Sequence, residues 1–248
     1  MSADSLRLLL KSFNLSTMAQ MYDESLQRAE KENWGYRKFL AYLCENEFQA
    51  RHDRKTKRLL SRSKLPEGKT LAALDEKLLP AKCRKMLPSL LDGSFVERAD
   101  NLLAFGLPGG GKTHFLAALG YELILRHQYN VLFIPTFQLV QELLVAKQNL
   151  ELTEQLRKYN RYDIVIIDDI GYVQHSREEM EVLFTFLAER YERKSLMISS
   201  NLVFSEWDKI FKDPMTTMAA IDRLVHHSII LEFNDGSIRE MQAKNNRR

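Results

Sequence analysis

Cysteine is scarce in this sequence, with only Cys44 and Cys83 among 248 residues. Two cysteines are too few for a disulfide framework, and they lack the paired spacing of a structural zinc site. A disulfide-rich scaffold and a zinc finger are therefore excluded, and a reducing, cytoplasmic compartment is favoured.

Long apolar runs are absent as well. No stretch approaches the roughly 20 consecutive apolar residues that a membrane-spanning helix needs. The first residues, 1–5, show neither the basic start nor the apolar stretch of a signal peptide. We therefore expect a soluble, cytoplasmic protein with no membrane partner.

The excess of one charge is small, because 36 Lys+Arg face 33 Asp+Glu for a net charge of +3. The charge is unevenly distributed: residues 1–100 carry 19 basic and 14 acidic side chains, whereas residues 101–248 carry 17 and 19. The densest basic run accompanies a single acid, Asp53. Such a run is either a solvated helix face or a contact surface for a polyanion, and both interpretations stay open. Its basic side chains are Arg51, Arg54, Lys55, Lys57, Arg58, Arg62 and Lys64.

The pattern of apolar residues changes near residue 100. Before it, apolar residues recur at spacings of three and four, which predicts short helices. After it, short apolar and β-branched runs alternate with helical stretches, which is typical of an α/β domain with a mostly parallel sheet. We predict strands at 101–105, 131–135, 163–167, 195–199 and 228–233, and helices near 113–127, 137–146, 177–192 and 215–223.

This pattern predicts three parts of the chain. Residues 1–65 would form a small all-α N-terminal domain. Residues 66–100 would be a linker with lead-in helices, because Pro and Gly interrupt the pattern near residue 66. Residues 101–248 would form the α/β domain.

A phosphate-binding motif follows the first predicted strand. The segment 106–113 fits the pattern G-x-x-x-x-G-K-[ST] and lies between a strand and a helix, as the mechanism of the motif requires. Its glycines let backbone N–H groups surround a phosphate, Lys112 would reach the β- and γ-phosphates, and Thr113 would ligate Mg²⁺. The alternative is a glycine-rich turn without a ligand. The predicted ATP-binding residues are Gly106, Leu107, Pro108, Gly109, Gly110, Gly111, Lys112, Thr113 and His114.

Two adjacent acids end the third predicted strand, Asp163-Ile-Val-Ile-Ile-Asp168-Asp169. Successive side chains of a strand point to opposite faces, so the two acids should have different roles. We predict that Asp168 binds Mg²⁺ and that Asp169 orients or deprotonates the attacking water. The alternative for Asp169 is a cap on the following helix.

Two further residues carry weak signals when taken alone. Asn201 ends an apolar strand and could hold the water or the γ-phosphate by hydrogen bonds. Arg223 precedes the last strand, and taken alone it is better explained by a surface salt bridge with Asp222 or a neighbour.

In this order, the phosphate loop, the paired acids, the Asn-terminated strand and the late arginine resemble the AAA+ ATPases. The flanking segments are more specific: they are similar to the IstB/DnaC-like branch of the initiator clade and, within that branch, to the ATP-binding helpers of IS21-family transposition. The resemblance covers nearly the whole chain. It is carried by Phe39-Leu-Ala-Tyr-Leu-Cys-Glu-Asn-Glu47, the arginine-rich stretch after it, Ser63-Lys-Leu-Pro66, and Phe95-Val-Glu-Arg-Ala-Asp-Asn-Leu-Leu103.

The resemblance implies a P-loop AAA+ core with a five-stranded parallel sheet flanked by helices. The Asn201 strand would lie between the phosphate-loop strand and the Asp168-Asp169 strand, which brings Asn201 to the γ-phosphate. Arg223 would be an arginine finger that acts on the nucleotide of a neighbouring subunit, so the protein would form an ATP-dependent homo-oligomer. We expect no C-terminal helical lid, because 15 residues follow the last predicted strand.

One departure from the family is Asp169, which stands where most AAA+ ATPases have Glu. The shorter side chain would hold the attacking water less well. We therefore expect slow ATP turnover.

The function implied by the resemblance is an ATP-dependent, DNA-binding transposition helper. It would oligomerise on duplex DNA largely independently of sequence, remodel it and deliver it to the transposase of the same element, while ATP hydrolysis controls assembly and disassembly. The hydrolysis would be stimulated by DNA and would depend on the oligomer. In this function the N-terminal domain, residues 1–65, would make DNA, partner or oligomer contacts. The candidate DNA contacts are Lys147, in a helical insertion near 137–152, and Arg51, Arg54, Lys55, Lys57 and Arg58.

Three alternatives remain open. A DnaC-like helicase loader shares the same ATPase core. A monomeric small-molecule P-loop kinase would need arginines at an acceptor site, and Arg190 and Arg193 are the candidates. A binding protein that does not hydrolyse ATP is the third.

Overall fold

The computed structural model describes residues 3–171, 176–202 and 224–233. These form nine α-helices and five strands within the described ranges. The helices are α1 (Ala3–Ser12), α2 (Ser16–Lys31), α3 (Tyr36–Ser63), α4 (Ala81–Leu91), α5 (Ser94–Glu97), α6 (Lys112–His127), α7 (Thr136–Gln148), α8 (Leu152–Tyr159) and α9 (Arg177–Arg190). The strands are β1 (Asn101–Gly106), β2 (Val131–Pro135), β3 (Ile164–Ile170), β4 (Ser195–Ser200) and β5 (Ser228–Phe233).

The chain divides into two compact units, Met1–Arg58 and Leu59–Arg248. Helices α1 and α2 and most of α3 belong to the first unit. The segment 66–100 belongs to the second, where α4 contacts α6 and β5. The domain boundaries at residues 65 and 100 stay predictions.

In the first unit, the buried carboxylate of Glu47 connects α3 with the start of α2. Glu47 of α3 accepts hydrogen bonds from the backbone N–H groups of Thr17 and Met18 at 2.7 and 3.0 Å. Both lie at the start of α2, where Leu15 provides no side-chain cap. Glu47 therefore satisfies free N–H groups at that helix end from another helix. Arg51 and Arg54 pair with the same carboxylate at 2.8 and 3.4 Å.

The five strands of the second unit form one sheet in the order β2-β3-β4-β1-β5, and every neighbouring pair is parallel. The predicted five-stranded parallel sheet is confirmed, and β4 lies between β1 and β3 as the resemblance implies. Among the strands, the largest difference from the sequence prediction is in β3, which is predicted at 163–167 and continues through both acids to Ile170. Helix α8 is not among the predicted helices.

Both faces of the sheet are covered, which explains the continuous apolar strands. Along β1, Leu102 and Ala104 pack with α4, α5 and α6, whereas Leu103 and Phe105 pack with α7, α8 and α9. A strand buried on both sides has no solvated face and therefore needs no polar alternation.

None of the described helices is both long enough and apolar enough to cross a membrane. The helix predicted at 215–223 and the residues that bear on a C-terminal lid, 234–248, lie outside the described residues.

Candidate active site

The loop between β1 and α6 carries the phosphate-binding motif. Gly106, Gly109 and Gly111 have φ angles of +143°, +84° and +92°, which side chains with a Cβ rarely adopt. A Cβ on Gly106 would also lie 2.2 Å from the carbonyl oxygen of Phe233 in β5. Glycine is therefore required at the start of the loop both for its conformation and for the close approach of β5.

Helix α6 begins directly after this loop. Gly111 is its N-cap residue and supplies no side-chain cap. The first N–H groups of a helix have no partner within the helix, and together with the helix dipole they attract an anion. This end of α6, with Thr113 as its second residue, therefore fits a phosphate group.

Lys112 connects the loop with β4. Its Nζ donates to the carbonyl oxygens of Gly106 and Leu107 at 2.6 and 3.0 Å, and to Asn201 Oδ1 at 2.7 Å. The residue is only 6% exposed. A positive charge is therefore held at the loop by three oxygen acceptors, beside the end of α6 that favours an anion.

Asp168 and Asp169 lie in a bulge of β3. The pairing of β3 with β4 runs to Ile167 opposite Ile198 and resumes with Ile170 opposite Ser200. Two residues of β3 therefore face one residue of β4, Ser199, which is the definition of a bulge. Asp169 has φ +64°, so the strict alternation assumed from the sequence does not hold for the two acids.

The bulge brings both acids to side chains of β4. Ser199 Oγ donates to Asp168 Oδ1 at 2.6 Å, and the N–H of Asp169 donates to the same Oγ at 2.8 Å. Asn201 Nδ2 donates to Asp169 Oδ1 at 2.6 Å. Lys112, Asn201 and Asp169 are thus joined in one chain of hydrogen bonds.

The alternative role of Asp169 as a helix cap is not supported. The next described helix, α9, is capped by Ser176, whose side chain accepts from the N–H of Glu179 while the Glu179 side chain accepts from the N–H of Ser176. This is a complete capping box.

The electrostatics of the paired acids favour a cation. Burial raises the pKa of the Asp169 carboxyl, the negative charge of Asp168 raises it further, and the charge of Lys112 opposes both effects. Two neighbouring carboxylates repel each other, and a divalent cation with oxygen ligands relieves that repulsion. The donor set therefore fits Mg²⁺, which Asp168 and Thr113 would hold.

Two predicted site residues contact groups outside the phosphate loop and the paired acids, and a third lies outside the described residues. A ring nitrogen of His114 lies 3.1 Å from the carbonyl oxygen of Thr70, so this ring contacts the segment before β1. Lys147, in the last turn of α7, pairs with Glu181 of α9 at 2.8 Å. Arg223 lies outside the described residues.

The candidate DNA contacts of the first unit fall into two groups. Arg51 and Arg54 are bound to Glu47, and Arg51 Nη2 also donates to the carbonyl oxygen of Asn14 at 2.6 Å. Lys55, Lys57 and Arg58 are exposed, and none has an ion pair within the part of the chain that the structure describes. Arg51 and Arg54 are exposed as well, but a polyanion would have to compete with Glu47 for them, which it would not for the second group.

Arg190 is the first of the two arginines considered for the acceptor site of a kinase. It lies at the amino edge of the sheet, opposite the phosphate loop. Its guanidinium donates to the carbonyl oxygens of Tyr159, Tyr162, Asp163 and Ser195 at 3.0–3.3 Å, near the amino ends of β3 and β4. Burial lowers the pKa of Arg190 to about 10. Arg190 therefore has a structural role and is not available to an acceptor next to the phosphate loop.

Ser199 is not among the site residues that the sequence predicts. The available signal was its position next to Ser200 and Asn201, where an apolar strand turns polar beside the predicted metal acids.

Comparison with known families and proteins gives a consistent result. The family model of the IstB-like ATP binding protein matches residues 8–246. An insertion sequence ATP-binding protein of Sinorhizobium fredii is 38% identical over 98% of this chain and 82% of its own length. An IS21 ATP-binding protein of Pseudomonas aeruginosa is 35% identical over 94% of this chain and 88% of its own length.

Solved structures that resemble the chain include a helicase loader and DnaA. The DnaC helicase loader has a TM-score of 0.54 at 16% identity, covering 67% of this chain and 97% of the loader. AMPPCP-bound DnaA from Aquifex aeolicus has a TM-score of 0.55 at 18% identity, covering 73% of this chain and 56% of DnaA. At these identities the likeness shows the AAA+ fold.

Proposed function

Since this chain belongs to the family of IstB-like ATP binding proteins, we propose that it is an ATPase that assists DNA transposition. It would assemble on duplex target DNA in the presence of ATP, remodel the DNA and present it to the transposase of the same element. Hydrolysis of ATP would control the assembly and its disassembly.

The observation that carries the ATPase proposal is the hydrogen-bonded chain from Lys112 through Asn201 to Asp169. It links the residue that would bind the γ-phosphate, the residue that would sense it, and the acid that would act on water. Nucleotide binding and water activation would therefore share one set of contacts at the carboxyl edge of the sheet.

The residues of the chain suggest how hydrolysis proceeds. The first N–H groups of α6 and the ammonium of Lys112 would bind the phosphates, and Thr113 with Asp168 would hold Mg²⁺, which neutralises charge on the β- and γ-phosphates when bound. Asp169, with its raised pKa, would accept the proton of the attacking water while Asn201 orients that water. Arg223 of a neighbouring copy would stabilise the developing charge.

The DNA part of the proposal depends on the basic side chains of α3. Lys55, Lys57 and Arg58 would contact backbone phosphates, so affinity should be largely independent of sequence and should fall steeply with salt. The Lys147–Glu181 pair would have to open before Lys147 contacts DNA.

A transposition helper is favoured over a helicase loader because the IstB-like family matches a longer part of this chain than the DnaC loader does. The match to the IstB-like family extends over residues 8–246 and therefore includes the first unit. The likeness to the DnaC loader covers 67% of the chain and shows only the shared fold.

The proposal is tested by measuring native mass with duplex DNA and ATP. We expect the wild type to form a large complex, and we expect Arg223→Ala to bind ATP but to form none. Arg193→Ala is the matched control, because Arg193 is an exposed arginine paired only with Glu189 within the described residues. A wild-type protein that stays monomeric and hydrolyses ATP without any response to DNA would contradict the proposal.

Replacement of Asp169 by Glu tests whether the short side chain limits turnover. The longer carboxylate would reach further toward the water, so we expect the steady-state rate to rise about three- to tenfold, a small part of what a positioned base contributes. The control is Asp163→Glu. Asp163 directly precedes β3 at the amino edge of the sheet, away from the phosphate loop, so this change should leave the rate unchanged. If Asp169→Glu shows no increase, side-chain length does not explain slow turnover.

A further inference from the structure

We infer that Ser199 is a positioning residue for ATP hydrolysis, because its hydroxyl holds both acids of β3 in place. This inference rests on the proposed function, since the roles of Asp168 and Asp169 are the ones proposed above. Ser199 itself would touch neither the nucleotide nor the metal.

The bulge explains why a hydroxyl is needed at this position. With two residues of β3 opposite one residue of β4, the regular ladder is interrupted between Ile167 and Ile170. The N–H of Asp169 instead donates to Ser199 Oγ at 2.8 Å. The side chain of Ser199 therefore replaces a backbone acceptor that the bulge removes.

The Ser199 hydroxyl also donates its one proton, and the acceptor is the carboxylate of Asp168. Ser199 Oγ lies 2.6 Å from Asp168 Oδ1. One group thus holds the main chain of the water-activating acid and the carboxylate of the metal-binding acid. Ser199 is 1% exposed, so solvent does not compete for either bond.

Loss of this hydroxyl would loosen both acids. Asp168 would be free to rotate, and the left-handed conformation of Asp169 would lose a bond that compensates its conformational cost. A metal-binding carboxylate that loses its outer hydrogen bond holds the metal less well. Both Mg²⁺ affinity and kcat should therefore fall, whereas the contacts of the phosphate loop stay intact.

Strand β4 offers a matched control at its other end. Ser195 is fully buried like Ser199, but its Oγ has no hydrogen-bond partner within the described residues. Ser195→Ala and Ser199→Ala thus remove the same atom from the same strand, and only the second removes hydrogen bonds to the acids.

The experiment measures ATP turnover in the presence of duplex DNA against Mg²⁺ concentration, ATP binding in EDTA, and thermal unfolding for the wild type and three variants. For Ser199→Ala we expect kcat to fall about 10- to 100-fold and half-maximal turnover to need more Mg²⁺. ATP binding in EDTA should not change. Ser199→Thr, which keeps the hydroxyl, should recover most of the rate, and Ser195→Ala should behave as the wild type.

The outcomes distinguish a failure of the inference about Ser199 from a failure of the proposed ATPase function. A wild type that turns over ATP, together with a Ser199→Ala variant that matches Ser195→Ala in rate and Mg²⁺ requirement, would overturn the inference and leave the proposed function standing. A lower kcat with an unchanged Mg²⁺ requirement and a lost melting transition would also overturn it, because a structural defect would then explain the loss. A wild type without ATP turnover would remove both. If Ser199→Thr does not fold, the difference between the two alanine variants decides.

Discussion

Replacing Lys112 by Met is expected to lower the rate of ATP hydrolysis by at least about 100-fold, the usual cost of removing one preorganised donor to transition-state charge. The Lys112 ammonium lies at the phosphate loop, within 2.6–3.0 Å of three oxygen acceptors. Methionine keeps much of the side-chain volume but removes the charge and all three bonds. Steady-state ATPase kinetics and nucleotide binding measure the effect.

The matched control is Lys194→Met. Lys194 Nζ is 2.6 Å from Asp163 Oδ1 at the opposite edge of the sheet, so its loss should not affect hydrolysis. If Lys112→Met retained wild-type turnover, Lys112 would take no part in hydrolysis and the proposed ATPase site would be wrong. If neither the wild type nor Lys112→Met turned over ATP and both kept every other activity, the alternative of a binding protein without hydrolysis would gain support.

The largest effect on stability is expected for Arg190→Leu. Removing the guanidinium takes one donor from four carbonyl oxygens: those of Tyr159 and Ser195 are buried and those of Tyr162 and Asp163 part-buried, and the Tyr159 oxygen still accepts from the N–H of Tyr162 at 3.1 Å. A buried acceptor that loses its donor costs about 1–3 kcal/mol, so we expect the free energy of unfolding to fall by about 2–3 kcal/mol. Urea unfolding followed by circular dichroism measures the change.

Arg193→Leu serves as the comparison for this stability measurement. Arg193 is exposed and pairs with Glu189 at 3.0 Å, and an exposed pair contributes less than about 1 kcal/mol. Equal unfolding free energies for the two leucine variants would show that Arg190 does not hold the amino edge of the sheet together.

The fold and much of the site follow from local patterns in the sequence. The phosphate loop is recognisable because its glycines, Lys112 and Thr113 are neighbours in the chain and act through the backbone of a single turn. The five strands are recognisable because each is a short apolar run buried on both faces of the sheet. The apolar runs do not reveal the order of the strands in the sheet. The position of β4 between β1 and β3 was predicted from the family resemblance.

The basic run of α3 shows where local patterns are insufficient. Seven basic residues between positions 51 and 64 look alike in the sequence. Only the structure shows that Arg51 and Arg54 are bound to Glu47, whose carboxylate also satisfies the start of α2. The difference depends on how α2 and α3 pack, which the charge pattern does not contain.

The sequence by itself determined which chemical groups the protein has for ATP: a phosphate loop, two acids after an apolar strand, and an asparagine that ends another strand. Tertiary structure alone decided how they are joined, because the register of β3 against β4 creates the bulge. That bulge turns Asp169 into a left-handed conformation and places Ser199, 31 positions from Asp168, between the two acids. Hydrogen bonds between residues so distant in the chain depend on strand register and packing, and no local pattern encodes them.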